Sequence, residues 1–306
     1  MIESGTHTPG ISAADFRLPP HTALRYEQPA RALRRYVTGY FVLDSEPVDP
    51  PMTSELMLPS WAQIWIVMTS APIKVEIGNR RYEPVPAAVL YGVTSRTMPV
   101  TAQGGVTIGV DISPLGWARL FHQSAEALRD RVTPLDQLLS PATVAELVSS
   151  LSASDRALEV KAILDDFFAR HMAAPHRDEA LIEQIMRLIA NPGVTSLDAA
   201  AAENGVSLHT LRRVSQRYFG FPPKTLIIRA RFLRAFVPIL LTRDVDKKKV
   251  PPAYHHRSHF LRDAERYLGM TVRRFMAIDT PYLDAALRAR QMILGAPTSA
   301  LDEPPA

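Results

Sequence analysis

The sequence predicts an α+β protein. A β-rich, barrel-like amino-terminal domain with helices precedes an all-helical carboxy-terminal domain. Three observations carry that reading. Short β-branched and aromatic runs crowd residues 36–112. The hydrophobic spacing becomes helical after Pro114. A basic block further on contains an internal repeat.

In chain order, residues 1–20 are small and polar and end in Leu18-Pro19-Pro20, which predicts a flexible arm. Residues 21–175 are expected to form an effector or dimerisation domain whose last part is helical. Its strands are expected at Tyr36–Leu43, Ile64–Met68, Ile73–Ile77, Ala87–Tyr91 and Val106–Ile112. Ile73–Ile77 alternates cleanly, and Gly78-Asn79 before Arg80 marks a hairpin turn. Strands this short and this evenly spaced predict a small barrel or sandwich. Helical spacing follows over Trp117–Leu128, Pro141–Leu151 and Arg156–His171. In the last of these, Leu158, Ile163, Leu164, Phe167 and Phe168 form a stripe wide enough for a core or a dimer seam. Asp178–Ala190 is amphipathic and stops at Asn191-Pro192-Gly193. A DNA-binding domain is expected over 176–290, and residues 291–306, rich in proline, are expected to be a disordered tail.

Composition excludes several classes. The 306 residues are 46% hydrophobic and 22% charged, enough for a real core. The absence of cysteine excludes disulfides, thiolate zinc sites, iron–sulfur clusters and cysteine nucleophiles. No apolar run reaches the roughly 18 residues that span a bilayer. The first sixteen residues lack signal-peptide character, so a cytoplasmic, nucleoid-associated protein without membrane contact is expected. Gly-rich phosphate loops, nucleophile elbows and HExxH motifs are absent, and neither catalysis nor a cofactor is expected.

The net charge of +4 is an average of unlike halves. Residues 1–175 hold 15 Lys+Arg and 18 Asp+Glu, net −3, whereas residues 205–275 hold 16 and 4, net +12. Such a block is an electrostatic footprint for a polyanion. Within it, Leu211–Phe221 and Phe260–Met270 both read apolar-x-Arg-x-x-x-Arg-Tyr-apolar-Gly-apolar, shifted by 49 residues. Each copy reads as a short helix ended by a C-cap glycine. The first copy also has the grammar of a helix-turn-helix. Thr195 or Ser196 caps Leu197–Ala202, Glu203-Asn204-Gly205-Val206 turns, and Ser207 caps the second helix. A second helix of this kind lies in the major groove. Its exposed residues here would be His209, Thr210, Arg212, Arg213, Gln216 and Arg217. Arg reads guanine bidentately, Gln reads adenine, and Thr touches a thymine methyl or a phosphate.

These residues resemble the AraC-type family of bacterial transcription regulators. The resemblance lies in Ser207-x3-Leu211-x-Arg213-x6-Gly220-x2-Pro223, in Arg229-x-Arg231-Phe-Leu-Arg-Ala235, and in Tyr254-x3-Ser258-His259-Phe260-x-Arg262-x6-Gly269, over about residues 180–276. It implies two helix-turn-helix units joined by a long helix, with both recognition helices on one DNA face. By position it implies base reading by His209, Arg212 and Arg213 in the first unit. Arg257, Ser258 and Arg262 hold those positions in the second. Pro114–Leu135 resembles, more weakly, the effector domains of such regulators. The implied partners are double-stranded DNA, a second copy of the chain, a small-molecule effector and RNA polymerase.

The sequence departs from the family at several points. Ser215 stands where an aromatic is usual, and His256 where an N-cap acid or hydroxyl is usual. Pro238 should kink the connecting helix. The first helix of the second unit, about Asp244–Ala253, contains Lys247, Lys248, Lys249 and Pro251-Pro252. The lysines would supply phosphate contacts, which position without specifying. His255, His256 and His259 lie close in sequence but lack acidic or thiolate companions, so a helix start is expected rather than a metal site. Trp61, Trp65, Tyr82, Tyr91 and Arg96 could line a pocket or fill the core. The competing readings are a small-molecule-binding or enzymatic β-barrel whose helical part mediates protein contacts, and a non-specific DNA binder.

Overall fold

A computed structural model describes residues 1–47, 55–69, 71–193, 197–203, 205–243 and 251–303. Nine strands precede the first α-helix: β1 (Thr22–Glu27), β2 (Val37–Ser45), β3 (Glu55–Met57), β4 (Ala62–Met68), β5 (Lys74–Ile77), β6 (Arg80–Tyr82), β7 (Ala88–Tyr91), β8 (Met98–Thr101) and β9 (Gly105–Ile112). Then follow α1 (Pro114–Leu120), α2 (Ala125–Leu128), β10 (Val132–Pro134), α3 (Pro141–Ala153), α4 (Val160–His171) and α5 (Glu179–Ala190). The basic part holds α6 (Leu197–Glu203), α7 (Leu208–Phe219), α8 (Pro223–Thr242), α9 (Arg257–Leu268), α10 (Val272–Met276) and α11 (Pro281–Leu294).

Among the described residues the strands form two antiparallel sheets, the sandwich alternative of the small barrel or sandwich expected, without closure into a barrel. The larger has the order β1-β2-β9-β4-β7-β10 and the smaller β3-β8-β5-β6. The central strands are buried on both faces, which is why they read as nearly unbroken apolar runs. Period two still sorts their side chains. Val42, Ile64, Ile66, Leu90, Ile108 and Val110 face the helices. Phe41, Trp65, Val67, Val89 and Tyr91 face the smaller sheet. The first half is therefore three layers: helices, large sheet, small sheet. The expected hairpin is present, with Val75 opposite Tyr82 and Ile77 opposite Arg80. Gly109 lies opposite Phe41 and Trp65, and a Cβ there would fall 2.0 Å from the Phe41 ring.

Helices begin where side chains satisfy their free N–H groups. Ser113, Ser124, Ser140, Ser207 and Thr271 each accept a backbone N–H in the first turn. In α4, Leu164, Phe167 and Phe168 are buried within the chain, so the stripe is core, while Leu158 lies outside the helix and is exposed. Helix α8 runs through Pro238 to Thr242 without interruption.

Both chain ends correct the sequence reading. Residues 1–20 are docked, not a flexible arm. The Gly5 N–H donates to Leu24 O and the Tyr26 N–H to Gly5 O, covering the open edge of β1. Phe16 is fully buried in the inter-sheet core. The expected tail over 291–306 is ordered through residue 303. Helix α11 packs on β1 and β3 and contributes Ala289 and Ile293 to the inter-sheet core. Its Arg290 is 4% exposed, with Nε 3.0 Å from Asp111 Oδ2 on β9 and Nη1 and Nη2 each 2.8 Å from the Asp302 carboxylate. Burial works against this charge, but the two carboxylates outweigh it and raise the guanidinium pKa. Nor is the 175/176 boundary a break in packing. One hydrophobic cluster runs from the large sheet through α4 and α5 to Ala230 in α8.

Breaking a buried ion pair leaves uncompensated charge, whereas exchanging the whole set for apolar residues does not. Arg290→Ala should therefore cost about 3–5 kcal/mol in urea unfolding of the full chain. The triple variant Arg290→Met, Asp111→Leu, Asp302→Leu should lose much less. Equal losses would show that the pairing itself is not what Arg290 contributes.

Candidate nucleic-acid interface

The 49-residue repeat is a repeat of structure. Helices α7 and α9 are each twelve residues long and stand 49 residues apart. Each ends at a left-handed glycine, Gly220 with φ 75° and Gly269 with φ 71°, whose N–H closes the last turn on Gln216 O or Glu265 O. Leu211, Val214 and Tyr218 of α7 are buried, as are Phe260 and Tyr267 of α9. Before α7, α6 turns through Gly205, at φ 65°, with Gly205 N–H on Ala202 O and Val206 N–H on Ala201 O. Ala201 is buried, because small residues let the two helices approach closely. The Thr195 and Ser196 cap residues and Asn204 of the turn lie outside the described residues.

The buried stripe of α7 leaves the opposite face outward. Ser207 caps the helix through Thr210 N at 3.1 Å. His209, Arg212, Arg213 and Arg217 are exposed and Thr210 is half-buried. Among the described residues no hydrogen bond or ion pair engages Arg212 or Arg213. Arg217 lies against Tyr218, its Nε 3.2 Å from the phenol oxygen. Gln216 is not free: its Nε2 donates to Glu126 Oε1 of α2 at 2.9 Å. Arg129 beside it donates to Gly220 O at 3.1 Å. The carboxy-terminal end of this face is thus held by the first half of the chain, and its amino-terminal end is open. Ser215, which replaces the usual aromatic, is fully buried and donates to Phe221 O at 2.7 Å.

On α9, Arg257, Ser258 and Arg262 are exposed. The sequence reading overlooked Leu261, which the 49-residue register aligns with Arg212 and which is also exposed. Comparing the outward faces of the two repeat copies would have found it. His256, at the N-cap position, makes no side-chain cap bond. Lys247, Lys248 and Lys249 lie outside the described residues, and 251–253 form a turn instead of the end of the helix expected over Asp244–Ala253. His255, His256 and His259 are exposed, and no described cluster is placed to hold a metal ion.

Not all of the basic block faces outward. In α8, Arg229 is 1% exposed. Its Nη1 donates to Thr94 O at 2.8 Å and Ser60 O at 3.3 Å, and its guanidinium lies 4.5 Å from the Trp61 ring centre. Burial lowers its pKa to about 10, against the smaller raising effects of Tyr267 and Asp130. Arg231 pairs with Asp263 of α9 at 2.9 Å, and Arg234 donates to Ile189 O and Ala190 O at the end of α5.

Comparison with solved structures finds ToxT from Vibrio cholerae, 13% identical, over 78% of this chain and 97% of that one, at a TM-score of 0.43. Unsaturated-fatty-acid-bound ToxT from Vibrio cholerae strain SCE256 is 10% identical, over 85% and 96%, at 0.41. The AraC-like transcriptional activator CuxR is 13% identical, over 73% and 90%, at 0.29. No protein-family model matches the chain, and no curated protein matches it in sequence.

A cavity of about 190 Å³ lies between the two sheets. Of the five residues that could line a pocket or fill the core, Trp65 lines this cavity. Trp61 is wedged between Phe219 and Arg229, Tyr91 is core, Tyr82 is half-buried, and Arg96 is exposed. In β9, Val106, Ile108, Val110 and Ile112 face the helices and Gly105, Thr107, Gly109 and Asp111 alternate with them. Of this second face Thr107 lines the cavity, while the Phe41 ring fills the space over Gly109. Helix α11 closes the space, and Glu55 Oε1 on β3 accepts the Tyr282 N–H in its first turn at 3.2 Å. Burial pushes the Glu55 carboxyl up to about 7, against the lowering effect of the Tyr282, Leu283 and Leu56 N–H groups.

A raised carboxyl pKa favours the fold at low pH. Its contribution is complete below the unfolded value of 4.5 and is lost as pH climbs through about 7. Glu55→Gln should remove a decline on the order of 2 kcal/mol over that window. Urea midpoints at pH 5 and pH 8 for both proteins check it, and parallel declines would rule it out.

Proposed function

We propose that the chain is a sequence-specific DNA-binding transcription regulator of the AraC type. The observation that carries this is the pair of capped, equal-length helices in 49-residue register, each with a buried stripe and an exposed, arginine-bearing face. His209, Arg212 and Arg213 present donors to base edges from α7, with Ser207 and Thr210 at the cap beside the phosphates. Arg257, Ser258 and Arg262 do so from α9, where Leu261 offers an apolar contact suited to a thymine methyl. Helix α8 joins the two units. At 1.5 Å per residue its 20 residues span about 30 Å, close to one turn of B-DNA. Lys247, Lys248 and Lys249 add phosphate charge. Gln216 and Arg217 are occupied within the protein and serve to hold α7 in place. The sheet domain acts as the sensing part, with control through a small molecule in its cavity, and a second copy and RNA polymerase are the protein partners of this reading.

A binding selection from random DNA with the full chain tests the reading. The recovered site should outcompete random DNA by about a thousandfold. Absence of any preference would leave a non-specific binder. On that site Arg213→Ala should cost about 10- to 100-fold in affinity while random-DNA binding changes little. Equal loss on both would remove base reading from Arg213. Replacing Lys247, Lys248 and Lys249 together by alanine should reduce the slope of log affinity against log salt by about 2–3. An unchanged slope would remove their phosphate role.

A further inference from the structure

The cavity between the sheets has an unusual balance of charge. Two of its lining residues are charged, Glu55 and Arg290, and the rest of the wall is dominated by side chains such as Leu56, Phe41, Trp65, Ala286 and Leu287. Arg290 has no donor to spare. Its Nε is on Asp111, its Nη1 on Asp302 and Ala296 O, and its Nη2 on Asp302 and Thr38. Glu55 is the reverse case. Its Oε1 accepts the Tyr282 N–H, but its Oε2 is buried with no hydrogen-bond partner among the described residues. An acceptor buried without a donor is costly, and a ligand that supplies one removes the cost. A carboxylate would meet Glu55 with no free cation to offset it.

We infer that this cavity binds a compact hydrophobic molecule bearing one hydroxyl or amino donor, which the donor places on Glu55 Oε2, and that it excludes carboxylates. The size sets the rest of the class. An apolar cavity of about 150 Å³ holds benzene, so about 190 Å³ takes one ring or a short chain with its polar group. The raised Glu55 carboxyl matches either donor. It accepts from a hydroxyl while neutral and pairs with an ammonium once ionised. The roof gives the site its use. Ala286 and Leu287 belong to α11, which follows α9 in the chain with only the five-residue α10 between them. A ligand under α11 is thus one short element from the second reading helix. The assignment rests on the effector-control part of the proposed function.

The test uses the full chain, calorimetric titration and the fluorescence of Trp65, without DNA. The probes are 4-ethylphenol, n-hexylamine, ethylbenzene and n-hexanoate. At least one of the first two should bind tenfold or more tightly than ethylbenzene and hexanoate, and which one does identifies the donor. Glu55→Gln turns an amide N–H toward the cavity, so it should cancel that advantage and raise hexanoate binding. Ala286→Phe fills the space beneath the roof and should abolish binding of every probe. Failure of all four probes, equal binding of ethylbenzene or hexanoate, or indifference to both substitutions would overturn the assignment. Since no DNA is present, these outcomes are separate from loss of operator preference, which bears only on the regulator reading.

Discussion

The Arg290 guanidinium is enclosed, and the two carboxylates it joins come from parts of the chain far apart in sequence. Asp111 sits on the central strand β9 and Asp302 beyond α11. A guanidinium in that position has no stable alternative to its fork of acceptors, so the ion set fixes where α11 lies. From that placement follow the roof of the cavity and the anchoring of residues that composition marks as a loose tail. Such a set contributes less to net stability than an equal volume of hydrocarbon would. Its contribution is to the position of a helix.

Arginine serves the same purpose elsewhere in the contact between the halves. Arg229 reaches from α8 to the carbonyls of Ser60 and Thr94, and Arg234 closes the end of α5. Five donors in a planar fork suit this work, because loop and helix-end carbonyls present several acceptors at once. The first half in turn holds both repeat units by their ends. Arg129 takes the carbonyl of Gly220, and the Thr97 N–H takes that of Tyr267 at 2.8 Å. Both carbonyls lie at helix carboxy-terminal ends, Gly220 at the C-cap of α7 and Tyr267 in the last turn of α9, where helix carbonyls lack internal partners. The first half therefore holds α7 and α9 at their carboxy-terminal ends and leaves their amino-terminal ends open.

The basic block accordingly contains two populations. Arg212, Arg213, Arg257 and Arg262 face outward, while Arg229, Arg231 and Arg234 are tied into the protein. Net charge counted along the sequence adds them together. The first group can touch an outside polyanion directly, whereas Arg229 and Arg234, held by neutral carbonyls, add to the field only from within and Arg231 is offset by Asp263.

Local rules determined much of this protein. The strands of the central sheet, the hairpin at Gly78-Asn79, the Ser207 cap and the two C-cap glycines were legible because they depend on near neighbours: side-chain period, turn chemistry and the unmet groups at helix ends. The register of the repeat placed the outward arginines for the same reason. What only the tertiary structure decided came from contacts between elements that are not neighbours in the chain, some of them well over a hundred residues apart. The edge of β1 recruits residues 1–8, Arg290 joins α11 to β9, Glu126 takes Gln216 away from the open face, and the strands divide into two stacked sheets, a choice that strand spacing left open. The cavity shows the division most clearly. The alternation of the two faces of β9 is written in the sequence, but Thr107 on one of them comes to line an enclosed space only when a helix 170 residues later is pinned over it. Spacing along a chain encodes which side of an element is apolar, and it does not encode which distant group will meet a buried charge.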